Sequence, residues 1–388
     1  MKLLVIGLGQ CGGKIADEFA RLGIRAHVQR GISIITGAYA INTDIADLSG
    51  LYTIKPDYQH RILIGAKKTN GHGVGKMNDV GAEIAREDGD KILNAIRTTS
   101  LFPETDALLL VAGAGGGTGS GAIASITQQI KERYADKPVY NLIILPFKHE
   151  EEVEGRTIYN SATCLKSAYL IADAVFLVDN QRFVKKGFSI RNNLGAINTM
   201  IAEPFYNILC AGEEKQAKYI GSKILDAGDI IQTLEGWTAI GFGKSQMSRT
   251  RVFFEWKANF RDKADETHKG IQAMNEAVGE LSLPCNPKDA GKALYLLSAP
   301  AKEMNMELVK ELGFYLKGLA PEAVIRTGDY PREKDQISVS LILSELKGVN
   351  KIMGYFTKTI EYMAALKRKK AGIDYEQEQT FKDIPVLL

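Results

Sequence analysis

The chain is poor in cysteine, in net charge and in long apolar runs, and each shortage closes off a class of function. Its four cysteines, Cys11, Cys164, Cys210 and Cys285, are widely spaced, without the paired spacing of a zinc site or a disulfide framework. Reduced, mostly buried thiols are expected. Formal charge is only +3, with 49 basic and 46 acidic residues interspersed, so composition offers no footprint for nucleic acid. No stretch approaches the roughly 20 apolar residues needed to cross a bilayer, and an integral membrane protein is not expected. The opening Met1-Lys-Leu-Leu-Val-Ile6 begins like a signal peptide, but glycines, Gln10 and Lys14 interrupt the apolar run early. A first strand explains it better, and a cytoplasmic protein is the expectation. At 388 residues the length exceeds what one core usually holds, so two domains and a tail are expected.

Glycine is plentiful, and it is concentrated in Gly113-Ala114-Gly115-Gly116-Gly117-Thr118-Gly119-Ser120-Gly121. The apolar run 106–112 before it reads as a buried strand, and 122–130 after it has apolar residues at helical spacing. A glycine linker is not usually clamped between two such elements. Backbone N–H groups freed of Cβ, the hydroxyls of Thr118 and Ser120, and a helix N-terminus together make a phosphate cradle. No Lys-Ser or Lys-Thr follows, so this is not a Walker A loop. The order of residues resembles the signature of the tubulin and FtsZ superfamily, in which this loop holds the phosphates of GTP.

The first loop, Gly7-Leu-Gly9-Gln10-Cys11-Gly12, fits G-x-G-x-x-G and raises a Rossmann NAD-binding oxidoreductase as the alternative. The acid expected about 20 positions on is missing. Gly9-Gln10-Cys11-Gly12, with Gly13 and Lys14 behind it, instead matches the first loop of tubulins. Asn42-Thr43-Asp44 resembles the second loop of FtsZ, which in the family lies near the nucleotide and its magnesium, and the same residues equally suit a helix N-cap. Gly71-His-Gly73-Val-Gly75-Lys76 resembles the third loop, which senses the γ-phosphate through its backbone amides; Lys76 and His72 fit solvated positions there too. After the strand 139–146 an acidic loop leads to Arg156. The resemblance implies that one of its acids accepts hydrogen bonds from the ribose: Glu152 with Arg156 reproduces the FtsZ spacing and Glu154-Gly155 that of archaeal relatives, Glu154 is favoured, and Glu150 and Glu151 are expected to hold no ligand.

By the same resemblance Asn180 and Asn198 lie at the nucleotide, Asn198 on the guanine edge at the start of a long helix, 189–210. Leu194 stands where the family usually places an aromatic residue that stacks on the base. Asp226 and Asp229 sit three apart, as in the FtsZ catalytic loop, which enters the neighbouring subunit's site and there orients water; helix capping by either aspartate is also good chemistry. Ile224 replaces a family asparagine. Beyond Gly236 the pattern reads as a small α+β domain, with strands at 251–256, 293–299 and 337–343 and helices at 262–281 and 307–318. Residues 326–331, the third loop, the opening glycines and Leu283-Pro-Cys285 resemble the archaeal tubulin-like family CetZ. A basic helix at 350–370 precedes Phe381-Lys-Asp-Ile-Pro-Val-Leu-Leu388, which resembles the FtsZ tail peptide that binds partner proteins.

The resemblance therefore implies an α/β tubulin/FtsZ-like fold. Residues 1–188 form a Rossmann-type GTPase domain, 189–235 the central helix and catalytic loop, 236–349 the C-terminal α+β domain, and 350–388 a helix and tail. It implies GTP or GDP with Mg2+ as ligands, head-to-tail assembly with itself, GTP hydrolysis at the subunit interface and a role in cell-shape control. A nucleotide-bound structural protein with little turnover would keep the fold and lose the chemistry.

Overall fold

The computed structural model describes residues 1–184, 190–246 and 260–381. The strand predicted at 251–256 and the tail peptide beyond Phe381 lie outside the described residues. The N-terminal half alternates strand and helix. Strands β1 (Leu3–Leu8), β2 (Ile35–Asn42), β3 (Arg61–Leu63), β4 (Ala107–Gly113), β5 (Val139–Leu145) and β6 (Ala174–Asp179) are all parallel, in the order β3-β2-β1-β4-β5-β6. The central four, β1, β4, β5 and β6, are almost wholly buried, because a parallel sheet is covered by helices on both faces.

Successive residues of each strand serve different cores. Val5, Leu109 and Leu142 face a cluster with Ile15, Phe19 and Leu22 of helix α1 (Gly9–Arg30). Leu4, Ile6 and Leu110 face the other cluster. The short helices α2 (Ile45–Ser49) and α3 (Ala66–Thr69) follow β2 and β3, and the second cluster is closed by α4 (Asn78–Glu87), α5 (Gly89–Arg97), α6 (Thr118–Arg133) and, after the short α7 (Lys148–Val153), α8 (Gly155–Ile171).

Helix α9 (Ile190–Ala211) then runs across the first cluster with Ile197, Ile201, Phe205 and Leu209 inward, and α10 (Ala227–Thr233) follows it. The sheet does not stop there. Strand β7 (Gly236–Gln246) adds to β6 in parallel through Ala174 to Phe176, and β8 (Ala290–Ala299), β9 (Val324–Pro331) and β10 (Gln336–Leu346) extend it in the order β7-β10-β8-β9. There β10 is antiparallel to β7 and β8, while β9 is parallel to β8. Helices α11 (Phe260–Gly279) and α12 (Met306–Leu319) pack on this half, and α13 (Asn350–Phe381) returns to α8.

Three elements depart from what local pattern suggests. The first loop is absorbed into α1, which begins at Gly9 and runs to Arg30. Residues 78–97 form two helices rather than one, parted at Asp88, whose carboxylate accepts the Gly65 N–H at 2.7 Å. Polar residues Arg326 to Asp329 hide β9, an edge strand whose Asp329 accepts the N–H groups of Ser222 and Lys223.

Candidate functional site

Helices α1 and α6 diverge from the adjacent strands β1 and β4 to opposite neighbours, which leaves a crevice at the carboxyl ends of the two strands. Neither helix has a side-chain N-cap or an acid in its first turn, so two positive helix ends face the crevice without a resident anion. A cleft of about 690 Å³ opens there. It holds Gly9, Gln10, Cys11 and Lys14 from α1; Asn42 and Asp44 after β2; Gly73; Gly113, Gly115, Gly116, Gly117, Thr118 and Gly119; and Asn180, Leu194 and Asn198. Sixteen of the residues singled out from the sequence thus meet in one place.

The glycine loop is tied from behind. Asn160, fully buried on α8, donates its side-chain amide to the carbonyls of Gly115 at 3.2 Å and Gly116 at 2.9 Å. Each next N–H lies opposite its carbonyl across a trans peptide, so the amides of Gly116 and Gly117 point away from Asn160. Thr118 lends its hydroxyl to a 2.7 Å bond with Thr43, which fixes the second loop against the cradle. Gly9 starts α1 at φ +71°, and a Cβ there would come within 2.9 Å of the Gly119 nitrogen.

The rest of the predicted set lies outside the cleft lining. Gly12 backs onto the Val111 carbonyl and Gly13 onto Ala40 and Leu51, so both pack α1 against the sheet. Ala114 is buried and donates its N–H to Ile144 at 2.8 Å. In the third loop Gly71 donates to Thr69 Oγ1 and Gly73 to the Thr43 carbonyl, and Gly75 faces open space. Glu154 pairs with Lys76 Nζ at 2.6 Å; Arg156 donates to the Lys76 carbonyl at 3.1 Å and reaches Asp79 at 3.1 Å. Glu152 is exposed and only approaches Lys148, at 3.7 Å.

Several cleft residues escaped the sequence reading. Phe147 and His149 stack with ring centroids 5.6 Å apart at the end of β5, and Glu150 beside them accepts the Phe147 N–H at 2.9 Å. Glu150 is the first acid after β5, a positional signal the run of acids obscures. Asp47 accepts from Gln10 at 2.7 Å and Asn42 at 3.0 Å, and Asp44 caps α2 through Ala46 at 2.8 Å. Burial pushes the Cys11 thiol up to about 12, so Cys11 enters the cleft as a neutral group.

Asp226 and Asp229 are elsewhere. Helix α9 leaves the cleft at Leu194 and Asn198 and ends near the start of β1, where the Met1 nitrogen donates to the Leu209 carbonyl at 3.0 Å. Its 22 residues span about 33 Å. Asp226 lies at that far end beside Gly212, caps α10 through the Asp229 N–H at 2.9 Å, and Asp229 pairs with Arg326 at 3.3 Å.

Comparison with known proteins bears on the family and the fold. Residues 2–187 match the Tubulin/FtsZ family, GTPase domain, and residues 187–361 match the Tubulin-like CetZ, C-terminal domain. The tubulin-like protein CetZ1 of Haloferax volcanii is 32% identical, over 91% of this chain and 90% of the relative. A GDP-bound monomer structure of that relative superposes with TM-score 0.78 at 30% identity, covering 94% of this chain and all of the other. The GTPγS-bound protofilament of CetZ2 from the same organism gives 0.80 at 27% identity, over 95% of this chain and 100% of the other. The chain belongs to the tubulin/FtsZ family, in its tubulin-like CetZ branch.

Proposed function

We propose that the cleft binds GTP or GDP, that the chain stacks head to tail, and that Asp226 and Asp229 of one subunit complete the cleft of the next to hydrolyse GTP. The observation that carries this reading is the separation of the two half-sites. Amides, helix ends and cleft-lining asparagines gather at one pole of α9, and the two aspartates stand at the other. Stacking one subunit on the next along that axis would bring them together. The GDP-bound monomer and GTPγS-bound protofilament of the relatives supply the precedent.

Within this reading the diphosphate rests on the amides between Gly115 and Gly119 and on the first turn of α1. Asn198 and Asn180 offer donor and acceptor to the guanine edge. Glu150, which faces the cleft where Glu154 does not, takes the ribose hydroxyls. Leu194 replaces a stacking ring, and Phe147 with His149 supplies the aromatic surface nearby. The oxygen donors Asn42, Asp44 and Asp47 suit Mg2+, and no cluster of three His, Cys, Asp or Glu occurs among the described residues. Such an ion would keep its waters and phosphate oxygens, and when bound it neutralises phosphate charge. The incoming Asp229 carboxylate, oriented by Arg326, accepts a hydrogen bond from water and aligns it on the γ-phosphorus, while the cradle amides stabilise the spreading charge.

The test is Asp229→Ala. Titration with a fluorescent GDP analogue should give wild-type affinity, while phosphate release from GTP falls by about 10²- to 10⁴-fold. Equal loss of binding and turnover would place Asp229 in its own subunit's site and defeat the reading.

A further inference from the structure

The third loop cannot read a terminal phosphate with all the amides that its glycines suggest. Gly71 and Gly73 have already donated theirs, and His72 donates to the Thr69 carbonyl at 3.0 Å. Beside Gly73, this loop presents the Lys76 side chain to the cleft. The residue is held in two parts. Its main chain is fixed: the carbonyl accepts from Arg156 Nε at 3.1 Å and from Asn160 at 2.9 Å, the same amide that ties down Gly115 and Gly116. The backbone lies against the cradle as well, since a Cβ on Gly117 would meet the Lys76 Cα at 2.9 Å.

The side chain is the movable part. Its ammonium pairs with Glu154 at 2.6 Å and reaches Thr157 Oγ1 at 3.4 Å, with Lys76 and Glu154 each about two-fifths exposed, at 42% and 41%. An ion pair so open to water is weakly held. A terminal phosphate brings nearly two negative charges and three acceptor oxygens, against one charge on the carboxylate. Lys76 Nζ can therefore exchange partners by side-chain rotation alone, without disturbing the loop.

We infer that Glu154 is an internal stand-in for the γ-phosphate. It holds Lys76 when the site is empty or carries a diphosphate, and it gives Lys76 up to a triphosphate, so that this exchange sets the preference for GTP over GDP. The inference rests on the nucleotide reading of the cleft. It also gives Glu154 and Arg156 work distinct from ribose binding: Arg156 anchors the loop, and Glu154 competes for its lysine.

The experiment measures dissociation constants for GDP and GTPγS by calorimetry on the full chain, in wild type, Glu154→Gln, Lys76→Gln and the double variant. Melting curves establish that each is folded. Glu154→Gln removes the competing charge and should tighten GTPγS by about three- to fivefold, the scale of an exposed pair, with GDP unchanged. Lys76→Gln should weaken GTPγS by about tenfold and again spare GDP, as loss of a charged hydrogen bond does. In the double variant the gain from Glu154→Gln should vanish. A ratio of affinities unaltered by Glu154→Gln, or both nucleotides shifting together, overturns the inference and leaves the nucleotide site standing. Failure of the wild type to bind either nucleotide overturns both. If Glu154→Gln unfolds, Glu154→Ser at the same N-cap position carries the same expectation.

Discussion

Replacing Gly9 by alanine separates two costs that the structure assigns to one residue. The first is conformational. Gly9 has φ +71°, and an L-residue held in that region costs about 1–2 kcal/mol. The second is steric: the new methyl would stand 2.9 Å from the Gly119 nitrogen, 3.3 Å from its Cα and 3.6 Å from Thr118 Cβ. Both neighbours belong to the first turn of α6, so relief requires one helix end to back away from the other, at about 1–3 kcal/mol for overpacking. The total is about 2–5 kcal/mol.

Gly75 is the control. Its φ is +58°, yet nothing lies within 4 Å of a Cβ built there, so alanine costs the conformational part alone, about 1–2 kcal/mol. Urea unfolding without nucleotide should rank the variants in that order. Binding of a fluorescent GDP analogue should weaken at least about tenfold in Gly9→Ala, since a shift of either helix end worth about 1.4 kcal/mol moves the amides off the phosphates. It should change little in Gly75→Ala. If the two variants match in both stability and affinity, the close approach of α1 and α6 is not what shapes the cradle.

Asn160→Ala removes the donor shared by the carbonyls of Gly115, Gly116 and Lys76 and should weaken GDP by about tenfold with about 1–3 kcal/mol lost in urea unfolding; full affinity would show that the loop holds its shape unaided. The thiols predict an alkaline limb. Burial raises Cys11 and Cys164 to about 12 and Cys210 and Cys285 to about 11, from 9.0. Because the folded values lie above the unfolded ones, this stabilisation is complete below pH 9 and is lost as pH rises toward 11 and 12. Melting temperature should therefore hold up to about pH 8.5 and fall beyond it, less steeply in Cys164→Ala; identical slopes would remove Cys164 from the account.

The strands and the cradle were legible because they are written in local pattern. Apolar runs 106–112 and 139–145 bury both faces, and nine residues from Gly113 leave a loop no other reading. What stayed hidden depends on partners distant in sequence. Asn160 looks like any polar residue on a helix until its amide is seen 45 positions from Gly115. Glu150, Glu152 and Glu154 are alike in a string, and only the turn of α7 sends the first into the cleft and lets Lys76 claim the third. Third-loop glycines suggested free amides because sequence does not record which N–H groups are already spent. Of the two aspartates, Asp226 takes the cap, and the proposed catalytic role of the pair stays a proposal. The cap is present in the subunit, and the second role needs a neighbour.

That neighbour is the centre of the account, and phosphate release from GTP across a protein dilution series, with sedimentation of the same samples, tests it most directly. Release per subunit should rise with concentration and track the pelleted fraction, and Asp229→Ala should abolish the rise while still binding GTP. Turnover that is constant per subunit down to dilutions where nothing pellets would mean that each chain carries a complete site, and the shared interface would be wrong.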